Sequence, residues 1–218
     1  AVSTERDLRV AIVECGRIAY ERGLISANNG NISARLGDDQ VVITPSGLCK
    51  GRLSEEDLVI IDLDGNVVKS SPRRKLKISS ETPMHLEVYR QRPDVRGVVH
   101  AHPTHAVALT IADIPFPMDV VPEVLEALGE VPTTRFALPS SEDNALAIRE
   151  LIGTHDALLL RNHGALTVGR DLDEALINLE RIEAVAHTFY VARALGQVNR
   201  LPEAFMPQLA ELYRRMKG

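Results

Sequence analysis

Val98-Val99-His100-Ala101-His102-Pro103-Thr104-His105 is the stretch against which the rest of the chain is read. Its β-branched start predicts a strand, and strand side chains alternate faces with a rise of roughly 3.3 Å per residue, so His100 and His102 point the same way about 6.6 Å apart. That spacing suits two imidazoles converging on one ion. Zn²⁺ takes three or four protein ligands, with an open position where the site is catalytic, so a further donor is expected. His163 is the best candidate. It stands in Arg161-Asn162-His163-Gly164, just after the apolar run Ala157-Leu158-Leu159-Leu160, which reads as a buried strand ending in a polar turn.

Composition narrows the class. With 218 residues, 44% hydrophobic and 25% charged, the chain has the make-up of an ordinary globular protein able to bury a large core in one domain, residues 1–218. No apolar run approaches the roughly 20 residues that span a bilayer, and no signal-peptide pattern opens the chain, so a cytoplasmic enzyme without a membrane partner is expected. Cys15 and Cys49 are too few and too far apart for a disulfide framework and read as reduced thiols. A net charge of -5 argues against general nucleic-acid binding. The local basic run Lys69, Arg73, Arg74, Lys75 and Lys77 reads as a solvated loop.

In chain order, Leu8, Ala11, Ile12, Cys15, Ile18 and Ala19 follow helical spacing up to Gly23. The turn-forming cluster Ser26-Ala27-Asn28-Asn29-Gly30-Asn31 leads into a strand at 32–35, and a second strand at 41–44 ends in Pro45-Ser46-Gly47. Such loops present backbone N–H groups, the donors an anion requires, although each read alone is more simply a plain turn. Residues 58–62 and 66–68 read as a hairpin turning at Asp64-Gly65. Ser79-Ser80-Glu81-Thr82-Pro83 reads as a serine-capped helix N-terminus, which either holds an anion or is an ordinary cap complemented by Glu81. Helices are expected at 106–111, 122–128 and up to Ile152 after a cap at Ser140-Ser141-Glu142-Asp143, with a strand at 133–138. A long helix should run from Asp171 to Leu195, burying Ala175, Leu179, Ile182, Ala186 and Phe189. In the tail, Leu209, Leu212, Tyr213 and Met216 form one stripe that should dock onto this or a neighbouring subunit.

Five motifs in order resemble the class II aldolase/adducin family over nearly the whole length: Gly30-Asn31-Ile32-Ser33, Thr44-Pro45-Ser46-Gly47, Ser79-Ser80-Glu81, Val98-Val99-His100-Ala101-His102 and Asn162-His163-Gly164. The resemblance implies an α/β fold: a single three-layer αβα domain with a largely antiparallel central sheet, assembled as a homotetramer with active sites near subunit interfaces. It implies that His100, His102 and His163 bind Zn²⁺, or another divalent metal such as Mn²⁺ or Co²⁺. Glu81 is then the acid/base carboxylate and itself a metal ligand before substrate arrives. Gly30, Asn31, Ser46, Gly47, Ser79 and Ser80 would hold the phosphate of a small phosphorylated sugar.

The family chemistry implied is aldol cleavage of a ketose phosphate to dihydroxyacetone phosphate and an aldehyde through an enediolate whose charge a dication stabilises. The carboxylate of Glu81 would move the carbon-bound proton. In fuculose-phosphate aldolase a tyrosine from the adjacent subunit donates a proton, whereas residues 118–122 here contain none; Tyr213 is the candidate replacement. A dehydratase of the same fold shares the histidines and a catalytic glutamate. The 4-epimerase has aspartate where this chain has Glu81. An adducin-like binding module is the alternative outside enzymes, and three histidines kept together with Glu81 speak against it. His85, His105, His155 and His187 match no ligand position of the family and are assigned structural or surface roles.

Overall fold

A computed structural model describes residues 3–72 and 75–217, with side chains through residue 215. Arg73 and Arg74 of the basic run and the Met216 side chain of the tail stripe lie outside the described residues.

The strands are β1 (Asn31–Leu36), β2 (Gln40–Ile43), β3 (Val59–Asp62), β4 (Val67–Lys69), β5 (Gly97–Ala101), β6 (Ala157–Leu160) and β7 (Gly164–Gly169). They form one sheet in the order β4-β3-β2-β1-β5-β7-β6, every neighbouring pair antiparallel. The helices are α1 (Glu5–Glu21), α2 (Thr82–Gln91), α3 (Thr104–Ile111), α4 (Pro122–Leu128), α5 (Glu142–Ile152), α6 (Leu172–Leu195) and α7 (Met206–Lys217).

Strand alternation sorts the core into two slabs. Ile32, Val42, Ile60, Val99, Leu159 and Ala165 face one way and meet Ile12 and Ala19 of α1 and Leu179, Ile182 and Ala186 of α6. Val41, Ile43, Val59, Val98, Leu158 and Leu166 face the other way, against Met84 and Val88 of α2 and Ile148 and Ile152 of α5. The result is helices, sheet, helices. The five residues expected on the inner stripe of α6 are all buried there. Truncating one of them, Ile182, to alanine should cost about 2–5 kcal/mol, the range for emptying a buried site of that size.

The same alternation places His100, beside Val98, on the α2 face, together with Asn31, Ser33 and Arg35 of β1. Asn31 lies opposite His100 in register, so the start of β1, the end of β2, the end of β5 and the start of β7 share one end of the sheet.

Three expectations need correction, and one strand is unexpected. Residues 133–138 form no strand: the chain makes one parallel bridge, Thr133 to Leu159, bracketed by Pro132 and Pro139, and then runs outward with Phe136 and Leu138 exposed. The N-cap of α2 is Glu81, not a serine; the Ser79 Oγ accepts from the Glu81 N–H at 3.2 Å, and the Glu81 side chain makes no cap bond. Lys69 of the basic run belongs to β4 and pairs with Glu5 at 2.9 Å. The strand β7 has no counterpart in the sequence reading, yet it is buried between β5 and β6.

Candidate metal centre and its surrounding loops

β5 carries His100 fully buried, and His102 follows where the strand ends and Pro103 starts α3. The turn from β6 to β7 brings His163 alongside. It depends on two local features: Asn162 sits in the left-handed region (φ 56) with its N–H donating to the Thr110 Oγ1 at 3.0 Å, and Gly164 lacks a side chain. A Cβ there would come within 2.8 Å of the His102 ring and 2.9 Å of the His100 ring, so only glycine lets the imidazoles close together. Ring centroids of the three lie 4.7, 4.9 and 5.0 Å apart, and one nitrogen from each falls within 4.8 Å of the others. They form a cluster able to hold a metal ion.

Glu81 closes the cluster from α2. Its Oε2 is 3.2 Å from the His100 Nε2 and its Oε1 is 3.3 Å from the His163 Nε2. The His100 Nδ1 faces the Ala165 carbonyl at 2.9 Å, an acceptor only, so Nδ1 carries a hydrogen and Nε2 has room for one proton at most. That nitrogen meets the His102 Nε2 at 3.1 Å as well as the carboxylate. One proton answers only one of these contacts, whereas a divalent ion answers all. Among the described residues, Glu81 Oε1 and His163 Nδ1 are also buried with no hydrogen-bond partner. The donor set therefore fits a divalent metal.

Electrostatics agree. Burial, then the neighbouring His100 and His163, push the His102 ring down to about 3, and burial and His100 push His163 down to about 4, so both stand neutral and ready to ligate. Burial works to raise the Glu81 carboxyl, but the charge and hydrogen bond of His100, the Asn31 amide and His163 outweigh it and hold Glu81 well below the usual carboxylate range. A metal cation would act with the same sign.

The three expected anion loops gather at this end of the sheet. Gly30 is buried at φ 69, where a Cβ would meet the His100 carbonyl oxygen at 2.8 Å, and Asn31 is buried with its amide donating to Glu81 Oε2 at 2.8 Å. Ser46 and Gly47 are exposed; the Ser46 N–H donates to the Lys77 carbonyl at 2.9 Å, and Pro45 bridges Ile78, which ties this loop to the Ser79-Ser80 loop. Ser79 is buried, and the exposed Ser80 Oγ is 2.8 Å from the Ser140 Oγ. Tyr213 stands elsewhere in the same chain. It packs on Gly129 and lines a cavity with Val95, Gly169 and Arg170, at the opposite end of β5 and β7.

Two residues near the centre escape a reading of the sequence. Lys50 is buried and its ammonium donates to the carbonyls of Asn28 (2.7 Å) and Leu48 (3.0 Å), pinning two of the anion loops to each other; burial lowers it to about 8. A lone lysine after Cys49 carries no signal of burial. His85, fully buried on α2, contacts Asn31 rather than the surface. Its one signal is the spacing of four from Glu81.

An antiparallel sheet between two layers of helices, with a histidine cluster closed by a carboxylate at one end, is the arrangement to set beside known proteins. Residues 10–190 match the family described as Class II Aldolase and Adducin N-terminal domain, and the chain belongs to it. It is 34% identical over 183 residues to the 3-oxo-tetronate 4-phosphate decarboxylase of Haemophilus influenzae, covering 82% of this chain and 85% of that protein. It is 34% identical over 189 residues to the L-fuculose phosphate aldolase of Methanococcus maripaludis, covering 87% and 99%. The crystal structure of L-fuculose-1-phosphate aldolase from Thermus thermophilus superposes with a TM-score of 0.76 at 33% identity, covering 89% of this chain and 98% of that one.

Proposed function

We propose that this chain, one domain over residues 1–218, is a metal-dependent carbon–carbon lyase acting on a small phosphorylated ketose. The reaction read here is aldol cleavage to dihydroxyacetone phosphate and an aldehyde. The observation that carries this is the Glu81 carboxylate, wedged among three converging imidazoles with one oxygen held by Asn31 and the other unpartnered. His100, His102 and His163, with Glu81 before substrate arrives, would hold a divalent ion, whose positive charge would stabilise the enediolate oxygens; zinc is the metal proposed, with Mn²⁺ or Co²⁺ as substitutes. Glu81 Oε1, free of hydrogen bonds and ionised at rest, takes up the proton released by the substrate hydroxyl or supplied by solvent, passes it to the carbon that loses its bond, and takes it back in reverse. Gly30, Asn31, Ser46, Gly47, Ser79 and Ser80 hold the phosphate, and this remote contact orients the reacting carbons. Asn31 brings only the one amide hydrogen that Glu81 leaves over.

Aldol cleavage also moves a hydroxyl proton as the aldehyde departs. Residues 118–122 offer no tyrosine for it, and Tyr213 is remote within its own chain. This observation favours a second reading, decarboxylation of a phosphorylated 3-oxo acid. There the bond to the carboxylate breaks, CO₂ leaves without needing a proton, and Glu81 relays a proton taken from solvent to the carbon. We further propose a cytoplasmic homotetramer with active sites near subunit interfaces, which would allow a neighbour's Tyr213 to approach a site. Support for assembly comes from exposed apolar side chains on α6, with Tyr190 at 60% and Leu195 at 84% exposure.

A product assay across phosphorylated ketoses and phosphorylated 3-oxo acids tests both. Dihydroxyacetone phosphate with an aldehyde is the expected result, and CO₂ release selects the second reading. A dehydrated or epimerised product with its carbon skeleton intact contradicts the lyase reading.

A further inference from the structure

Behind Glu81 lies a buried chain of polar side chains that neither the metal cluster nor the anion loops account for. Glu81, His85 and Tyr89 are spaced by four on α2 and so share one face of the helix. Asn31, Ser33 and Arg35 alternate on β1 and share the face of the sheet that α2 covers. The two rows interlock. The Asn31 Nδ2 donates to Glu81 Oε2 at 2.8 Å, the Asn31 Oδ1 is 2.6 Å from the His85 Nε2, the His85 Nδ1 is 2.6 Å from the Ser33 Oγ, and the Ser33 Oγ is 2.9 Å from the Tyr89 hydroxyl. The Arg35 guanidinium closes the far end, donating to the Tyr89 carbonyl at 2.6 Å and lying 4.8 Å from the Tyr89 ring centroid.

The hydrogens in this chain follow from its acidic end. An ionised carboxylate only accepts, so Asn31 must turn its NH₂ to Glu81 and its carbonyl to His85. A carbonyl also only accepts, so the His85 Nε2 carries a hydrogen. With the ring neutral, Nδ1 accepts from the Ser33 hydroxyl, and Ser33 accepts in turn from Tyr89. Every donor then has one acceptor. A doubly protonated ring would make Ser33 accept from Nδ1, and one hydroxyl hydrogen, that of Ser33 or of Tyr89, would then have no acceptor in the chain. Burial independently favours the neutral ring, pushing His85 down to about 3.

We propose that His85 is a positioning residue for proton transfer: through Asn31 it fixes Glu81 Oε2 as the held oxygen and leaves Oε1 as the one that meets the substrate carbon. The proposal rests on Glu81 being the proton-transferring group, but its hydrogen pattern can be read without any reaction. In ¹⁵N-histidine-labelled protein free of substrate and metal, the His85 ring should show the neutral Nε2–H form between pH 6 and 8. The Nδ1–H form, or a charged ring, overturns the proposal whatever the enzyme catalyses.

Two near-isosteric variants then test the role. Glutamine at 85 can place an amide donor where Nε2 stood and keep the bond to Asn31, whereas asparagine reaches only toward Ser33. On whichever phosphorylated compound the wild type turns over, His85→Asn should lose on the order of 10-fold or more in kcat, since small misplacements of a reacting group cost that much. His85→Gln should recover most of it. Metal content should stay within about twofold of wild type in both, because no imidazole of the cluster is touched, and any change in KM should be smaller than the change in kcat, because Asn31 is only one of several residues at the phosphate. Equal kcat for the two variants, or a loss confined to KM or to metal content, contradicts a positioning role.

Discussion

Two groups of histidines, brought within three residues of each other in sequence at His102 and His105, behave oppositely. His100, His102 and His163 face one another with nitrogens left over and a carboxylate oxygen unpartnered among them. His105, at the start of α3, stacks on His187 of α6 with centroids 4.1 Å apart and planes inclined by 16°. Its ring Nδ1 and backbone N–H both reach Glu183, at 2.7 and 3.0 Å, and the Ala106 N–H donates to the same carboxylate at 3.0 Å. The second group satisfies itself and ties α3 to α6. Density of histidine is therefore a poor guide to a centre, whereas buried polar atoms whose needs the protein does not meet point to something from outside.

The largest expected effect separates the two groups by metal. Purified protein should carry about one divalent ion per chain, and His163→Ala should lose it while His105→Ala keeps it; elemental analysis decides. A chelator should abolish activity. Metal-free protein with full turnover would erase the distinction. Next comes Glu81→Gln, which keeps the volume but cannot move a proton: kcat should fall by roughly 10² or more with metal content retained.

The depressed rings also set a pH response. His102 and His163 bind protons less readily in the fold, at about 3 and about 4, than their ordinary value of 6.5. Between those values the unfolded chain holds more protons, so stability rises with pH and is lost as pH falls from about 6.5 toward 4 and below. Urea unfolding of metal-free protein at pH 7.5, 6 and 5 should show a falling midpoint. Added metal should raise the midpoint at neutral pH and do so less at pH 5, where protons compete for the same nitrogens. A flat midpoint would mean the rings are charged in the fold.

Smaller effects belong to the periphery. Ser80→Ala should raise KM for a phosphorylated substrate by roughly 10-fold, the scale of losing one hydrogen bond to a charged group at about 1.5 kcal/mol, and leave unfolding unchanged. Equal activity on phosphorylated and unphosphorylated sugars would reduce these loops to plain turns. At the other pole, His105→Asn should cost about 1 kcal/mol of stability through the Glu183 contact, with wild-type metal content.

Much of this is legible in the sequence because period and chemistry coincide. Alternation along β5, carried one residue past its end, puts His100 and His102 on one side, the helical stripe of α6 names its buried residues, and turn chemistry marks the loops at 30–31 and 46–47. What stays hidden depends on tertiary neighbours. β7 begins and ends in glycine, which weakens a strand signal, and Gly164 is needed because the Ala101 carbonyl and two imidazoles crowd it. Ser79-Ser80 reads as a cap because hydroxyls commonly serve there, yet Glu81 takes the cap position and turns its carboxylate to Asn31 and the histidines. His85 looks like any helix residue until β1 supplies Asn31 and Ser33 to bond both its nitrogens.

The central claim is that Glu81 moves a carbon-bound proton beside a metal held by His100, His102 and His163, a step that aldol cleavage and decarboxylation share. Solvent deuterium exchange into dihydroxyacetone phosphate, followed by proton NMR with no aldehyde present, measures that step alone. Metal-loaded wild type should wash deuterium into one carbon position, Glu81→Gln with full metal should be slower by roughly 10² or more, and metal-free protein should be silent. Exchange at the wild-type rate in Glu81→Gln, or in protein stripped of metal, would contradict the account.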